Sequence, residues 1–174
     1  MSKGFGSGSS KRKINVKQFY LANKFAEGKK YYHAKNFSKA ELIFSNLMDL
    51  GFEDPNLSLY LANIYISNDS DEKAIIILKR ALERNSEIPN LYFNLGTIYF
   101  KRSEYKISIF YYLKGIKLEP NNAFAHSNLA GCYEELLDYK NAVDSYKKAF
   151  LLNKHLLQIR EKLIMFQPKI CDWS

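Results

Sequence analysis

Four tyrosines, Tyr31, Tyr65, Tyr99 and Tyr133, stand 34 residues apart, with no insertion or deletion to disturb the interval. Small residues run in step with them: Gly28, Ala62, Gly96 and Ala130 lie three places earlier, and Ala40, Ala74, Ser108 and Ala142 nine places later. A fixed period of this length marks a chain built from stacked supersecondary units, each contacting its neighbours, rather than one core closed on itself. Such an array offers long surfaces in place of a deep cleft, which turns the expectation from catalysis towards binding.

The repeats divide as 21–54, 55–88, 89–122 and 123–156, within a repeat region of 17–156. Each splits into two helix-length halves, with breaks near Asn36, Asp69-Ser70, Ser103-Glu104 and Asp138. In the third repeat Tyr92, Leu95, Gly96 and Tyr99 share one face of a helix, and Ser108, Tyr112 and Gly115 share one face of the next. Two antiparallel helices pack across these faces, and small residues are needed where the axes approach, as Gly96 against Ser108. Pro55 after Asp54, and Pro89, sit where a helix begins and a missing N–H costs nothing, and Pro120 closes the third repeat.

The flanks read differently. Residues 1–16 form a flexible basic leader, because MSKGFGSGSS carries too little apolar surface to offset the entropy of ordering it. Its glycines do not follow the spacing of a phosphate-binding loop. Residues 157–167 read as a further helix carrying Leu157, Ile159, Leu163, Ile164 and Phe166 and stopped by Pro168, with 168–174 as a tail. That helix is apolar over too wide an arc for a simple cap. Two readings follow: self-association or docking of a second domain through it, or cover from the preceding repeat and the final loop.

The chain of 174 residues has a net charge of +8. Five of its basic residues (Lys3, Lys11, Arg12, Lys13, Lys17) lie in the first twenty positions, where there is no acid, so the rest holds 21 basic against 18 acidic side chains. The body shows no basic stripe of the kind phosphate contacts require, and nucleic acid is not the expected partner. Lys11-Arg12-Lys13 reads as a solvated leader, or else as a nuclear address or a phosphate or membrane-surface contact. Cys132 and Cys171 are too few for a disulfide framework and match a reducing compartment. The longest apolar run, Ala74 to Leu78, is too short for a transmembrane segment, and residues 1–20 lack the apolar centre of a secretory signal. A cytoplasmic location is the expectation.

No cofactor, metal or catalytic group is expected. His33, His126 and His155 are scattered, with no cysteine or carboxylate at metal-ligand spacing, and packing accounts for His126. Glu134-Glu135 has no nucleophile, base or phosphate loop beside it and reads as a solvated patch or a contact for a basic partner. The chain is read as a non-enzyme.

The third repeat carries Tyr92, Leu95-Gly96, Tyr99, Ser108, Tyr112, Gly115 and Pro120, and the fourth His126, Leu129-Ala130, Tyr133, Ala142, Tyr146 and Ala149. The second has Leu61-Ala62, Tyr65, Ala74, Leu78 and Ala81; the first, with Gly28, Tyr31, Ala40, Phe44 and Leu47, is the most divergent. This pattern resembles the tetratricopeptide repeat (TPR). The resemblance implies an all-α, TPR-type helical solenoid of four helix-turn-helix repeats plus a C-terminal helix. It also implies a concave groove, lined by the first helix of each repeat, that takes an extended peptide or a partner protein.

By register the groove is lined by Tyr60 and Asn63 from the second repeat, Asn90, Phe93, Asn94, Thr97 and Phe100 from the third, and Asn128 from the fourth. Ser127, Phe124 and Glu134 also fall on this face. The lining is amide and aromatic, which suits an extended backbone, because an asparagine side chain donates to a carbonyl and accepts from an N–H at once. Chaperone-tail binders of the family hold a terminal carboxylate in a basic clamp. Leu59, Phe124 and Asn128 stand where those basic residues belong, so an acidic C-terminal tail is not the expected ligand.

Asn94-Leu95-Gly96 and Asn128-Leu129-Ala130 are similar to the asparagine ladder of O-linked N-acetylglucosaminyl transferases, and Cys171-Asp172-Trp173 is similar to the entry to their catalytic region. That likeness implies the alternative reading: the substrate-recognising repeats of such a transferase, without its catalytic domain.

Overall fold

The computed structural model describes residues 16–171, and side chains for 16–166; the leader up to residue 15 and the Asp172-Trp173 part of the tail lie outside the described residues. Every regular element among them is helical: α1 (Val16–His33), α2 (Phe37–Asp49), α3 (Pro55–Ser67), α4 (Asp71–Arg84), α5 (Pro89–Lys101), α6 (Tyr105–Leu118), α7 (Ala123–Glu135), α8 (Tyr139–Leu152) and α9 (Leu157–Cys171). The architecture is an all-α solenoid of helical hairpins with one further helix. It resolves into two compact units, residues 1–53 and 54–174. The first holds the α1–α2 hairpin. The second holds three hairpins and α9, with each helix packed on the next from α3 to α9.

Local chemistry sets the helix starts. Asp54 accepts from the Asn56 N–H at 2.8 Å just ahead of Pro55, and Asn122 accepts from the Ala125 N–H at 2.9 Å. Each satisfies one of the donors a helix leaves open at its N-terminus. The turns inside the hairpins are one device used four times. The carbonyls of Tyr31, Tyr65, Tyr99 and Tyr133 accept from the N–H groups of Asn36, Ser70, Glu104 and Asp138 at 2.9, 2.8, 2.9 and 2.9 Å. An inner bond from the preceding residue accompanies each, such as Ser103 N–H to Phe100 C=O at 2.9 Å. This pair of bonds is the Schellman motif, so each periodic tyrosine marks the third residue from its helix end. The residue that closes the first helix then starts the second: Asn36 and Asp138 cap α2 and α8 with their side chains.

The motif needs a left-handed residue, and none of the four is glycine: Lys35, Asp69, Ser103 and Leu137 have φ of 57°, 54°, 58° and 60°. Leucine bears that conformation worst, since it has no polar group to compensate locally. Leu137 is 69 % exposed, so little packing opposes its replacement. Leu137→Gly is therefore expected to raise the unfolding free energy by about 0.5–1 kcal/mol, read as a higher denaturant midpoint at unchanged slope.

In the α1–α2 and α5–α6 hairpins a small residue faces a large one at the same offset of 16 residues. Gly28 faces Phe44 and Gly96 faces Tyr112, and a Cβ on either glycine would stand 2.5 and 3.0 Å from the opposing ring. The positions nine after each tyrosine, Ala40, Ala74, Ser108 and Ala142, are all 0 % exposed, which shows where the helices approach most closely. Ser108 is the polar exception, and it is satisfied: its hydroxyl donates to the Gly96 carbonyl at 2.7 Å and lies 3.1 Å from the Cys132 sulfur.

The last helix departs from the sequence reading. It does not stop at Pro168 but continues to Cys171. Proline's fixed φ is compatible with a helix, while its missing N–H and the crowding of its ring against the preceding turn disfavour one without always ending it. Ile159 and Phe166 are buried against α8, with the Phe166 ring 5.3 Å from Tyr139 and nearly parallel to Tyr146 at 6.4 Å. The preceding repeat thus covers one side of α9, while Leu157, Ile164 and Met165 stay exposed. Cys132 is a buried free thiol. No helix among the described residues is long and apolar enough to cross a membrane.

Candidate functional site

The first helices of the three hairpins in residues 54–174 lie side by side, α5 between α3 and α7. The eight residues expected to line a groove lie on these helices, and their side chains are engaged unequally. Asn94 donates its side-chain N–H to the Asn63 carbonyl oxygen at 3.0 Å, joining α5 to α3. The pair keeps two further amide donors on Asn63 and the carbonyl oxygen of Asn94, the complement of one peptide unit. Asn90 and Asn128 are exposed, and Tyr60 is half-buried beside Leu59 and Asn63 along α3. Phe100 stands exposed above Gly131 of α7, its ring 5.5 Å from that of Tyr105.

Phe93 and Thr97 are committed elsewhere. The Phe93 ring turns into the hairpin and fills the space over Gly115, where a Cβ would come within 2.3 Å of it. It is a packing residue as much as a lining one. The Thr97 hydroxyl donates to the Phe93 carbonyl at 3.0 Å, so the Tyr112 hydroxyl, also 3.0 Å away, acts as donor to Thr97.

Tyr112 is the residue the sequence reading missed. It sits on α6, 1 % exposed, yet its phenol reaches through the hairpin to the groove face. Burial pushes that phenol up to about 12, with hydrogen bonding to Thr97 and Asn128 opposing the shift. Tyr146, one period later, does the same in the next hairpin, where its hydroxyl donates to Glu134 at 2.8 Å. The signal was present: Phe44 and Leu78 hold the matching places in the first two repeats without a hydroxyl.

Glu134 is not the solvated patch expected of it. It is half-buried, accepting from Tyr146 and from the Lys162 ammonium of α9. Glu135, exposed, accepts from the Tyr105 hydroxyl at 3.2 Å. His126 lies 2.9 Å from the Pro120 carbonyl, a structural contact. Lys101, at the end of α5, is held by Asp69 and Asp71 at 2.6 and 3.2 Å, and Arg102 by Glu72 and Glu104. These cations are engaged with the α3–α4 turn and with each other's neighbours rather than aimed at a ligand carboxylate. Among the described residues no group of three or more His, Cys, Asp or Glu is placed to hold a metal ion.

Comparison with known proteins agrees with this geometry. Family models described as tetratricopeptide repeat match residues 60–88, 89–122 and 125–155. Curated proteins give no match. Among solved structures, a crystal structure of MamA protein superposes with a TM-score of 0.76 at 18 % identity, covering 84 % of this chain and 80 % of that one. The MamA MSR-1 structure gives 0.71 at 18 % identity over 90 % and 88 % of the two chains, and a MamA RS-1 double mutant 0.78 at 13 % over 90 % and 86 %. At such identities the likeness is one of fold. The matched repeats cover more than half of the residues, and with the recurrent Schellman turns and small-to-large hairpin contacts they establish that the chain belongs to the tetratricopeptide repeat family.

Proposed function

We propose that this chain is a non-enzymatic interaction module that binds an extended peptide segment of a partner protein along the shared face of α3, α5 and α7, in a cytoplasmic setting. The observation that carries the reading is the Asn63–Asn94 pair, which leaves donors and an acceptor facing out beside Tyr60, Thr97, Phe100 and Asn128. A peptide backbone in an extended conformation needs that alternation of donor and acceptor, and exposed aromatic rings supply apolar area without a strict side-chain code. The absence of a free cation at Lys101 argues for an internal segment over a terminal carboxylate.

The test is capture of peptides from a tiled array by the full chain. The triple variant Asn94→Ala, Asn128→Ala, Phe100→Ala is expected to lose at least about tenfold in affinity at unchanged helicity, since several directional contacts go together. Phe93 is left intact because its ring fills the space over Gly115. Capture that is unaltered in the triple variant would sink the proposal.

One observation favours a second reading, the substrate-recognising repeats of an O-linked N-acetylglucosaminyl transferase-like protein: Asn94 and Asn128 occupy the same register on neighbouring first helices. Against it, Asn94 pairs with Asn63 of α3, one helical turn off the ladder register held there by Tyr60. Reading the gene beyond Ser174 distinguishes the two, since this second reading requires a glycosyltransferase frame to follow.

A further inference from the structure

The opposite side of the second unit carries a feature that the linear sequence hid. The six exposed side chains of α6 are Lys106, Ile107, Phe110, Leu113, Lys114 and Lys117. Three are cationic and three are large hydrocarbons; no acid and no neutral hydrogen-bonding group stands among them. Phe110 and Leu113 are 53 % and 47 % exposed, with the Lys114 ammonium over the Phe110 ring, 5.5 Å from its centroid.

The neighbouring second helices continue the theme in register. Arg80 on α4 and Lys148 on α8 are exposed at the positions one period either side of Lys114, and Lys79 and Lys147 flank Leu113 in the same way. Ile76, 60 % exposed, occupies the register of Phe110. Arg80, Lys114 and Lys148 form no ion pair among the described residues, and neither do Lys106 and Lys117. The expectation of no basic stripe in the body is thereby corrected. Three exposed acids share these helices, Glu72 and Glu83 on α4 in the registers of Lys106 and Lys117 and Asp144 on α8 in that of Phe110. Against them stand ten exposed Lys and Arg residues on α4, α6 and α8, so a nearly neutral sequence folds with an excess of cations on its second helices.

We infer that this face of α4, α6 and α8 docks on an anionic lipid bilayer. Its two chemistries, ammonium groups and hydrocarbon, are the complements of acidic headgroups and the acyl region beneath them. Lysines alone would serve phosphates of either kind, but a nucleic acid makes no use of the exposed hydrocarbon of Ile76, Ile107, Phe110 and Leu113, whereas a bilayer takes both. Lysines spread over three successive helices suit a surface that is broad and fluid, where each contributes additively as a point charge. This role is separate from the groove, which lies on the first helices.

The experiment is co-sedimentation of the full chain with vesicles of phosphatidylcholine alone, and with about a third of phosphatidylglycerol added. Binding is expected to the anionic vesicles only, and to weaken steeply with salt. Lys106→Gln, Lys114→Gln and Lys117→Gln together are expected to lower partitioning about a hundredfold, at roughly fivefold for each charge. Phe110→Ser with Leu113→Ser is expected to lower it at least about tenfold by removing the inserted hydrocarbon. Because the leader is also basic, a variant with Lys3, Lys11, Arg12 and Lys13 changed to Gln is run beside them. Helicity by circular dichroism confirms that each variant is folded. No binding to anionic vesicles overturns the proposal. So does binding that the α6 variants leave unchanged and the leader variant abolishes, and so does a preference for duplex DNA that is insensitive to Phe110→Ser with Leu113→Ser.

Discussion

Tyr112→Ala is expected to cost about 3–5 kcal/mol, a large part of the 5–15 kcal/mol that holds a typical domain together. The ring is fully buried in α6 and fills the space that Gly96 leaves by lacking a Cβ. Alanine would open a cavity between α5 and α6 that backbone glycine cannot fill. Tyr112→Phe separates packing from hydrogen bonding: it keeps the ring and strands the Thr97 contact, so a loss nearer 1 kcal/mol is expected. Denaturant unfolding followed at the helical band measures both.

The same residue predicts an alkaline limit. Below pH 10 folded and unfolded chains both hold the phenolic proton, and the fold keeps its full stability. Between pH 10 and the folded value of about 12 the unfolded chain gives up the proton while the folded chain retains it. Stability therefore falls as pH rises, by about 1.4 kcal/mol for each unit. Tyr146, also pushed up by burial and by the Glu134 carboxylate, acts in the same direction. Tyr112→Phe is expected to remove its share of the slope; an unchanged slope in that variant would show that the buried phenol is not its source.

Phe44→Ala is the second large effect, again about 3–5 kcal/mol, and it falls on the first unit. Phe44 is 0 % exposed, with its ring 5.7 Å from that of Phe25 and pressed against Gly28. Gly28→Ala is expected to destabilise through overpacking, typically 1–3 kcal/mol, because its new Cβ would lie 2.5 Å from a ring with no open space around it. Better helix propensity returns only about 1 kcal/mol of that. Phe44→Leu combined with Gly28→Ala copies the Leu78–Ala62 pairing of the second repeat. The double variant is therefore expected to be more stable than the sum of the single losses, a coupling that a double-mutant cycle measures by hydrogen exchange in residues 16–53. Strict additivity would mean that the glycine is not there for the ring.

These pairs show why so much of the fold was legible. A repeat that stacks on copies of itself has to place its small residues, its turn and its large side chains at fixed offsets, so Tyr31, Tyr65, Tyr99 and Tyr133 betrayed both helices and the turn between them. The helix breaks near Asn36, Asp69-Ser70, Ser103-Glu104 and Asp138 coincide with the observed turns for that reason. The tyrosines themselves proved to mark a backbone motif: their carbonyls, rather than their rings, recur in the same bond. The end of α9 was less legible, because proline weakens a helix through a lost hydrogen bond and a crowded turn, and a linear pattern does not show when neighbours outweigh that cost.

The candidate surfaces divide the same way. That Tyr60, Asn63, Asn94 and Phe100 lie on the first helices of their repeats follows from period and helical geometry; that they line a binding surface is our proposal. Whether a side chain on those helices is available to a ligand depends on neighbours that are 12 to 31 residues away. Phe93 turned inward over Gly115, Glu134 was taken by Tyr146 and Lys162, and Asn94 found Asn63, none of which a linear pattern contains. Charge went furthest from the linear view. A count of 21 basic against 18 acidic residues says nothing of sides, and only the folded register, which aligns Arg80, Lys114 and Lys148 and leaves few exposed acids on the second helices, turns a neutral average into a mostly basic face. Periodicity, being local and repeated, was written in the chain; the partnerships across helices that decide which groups remain free exist only once the helices are packed.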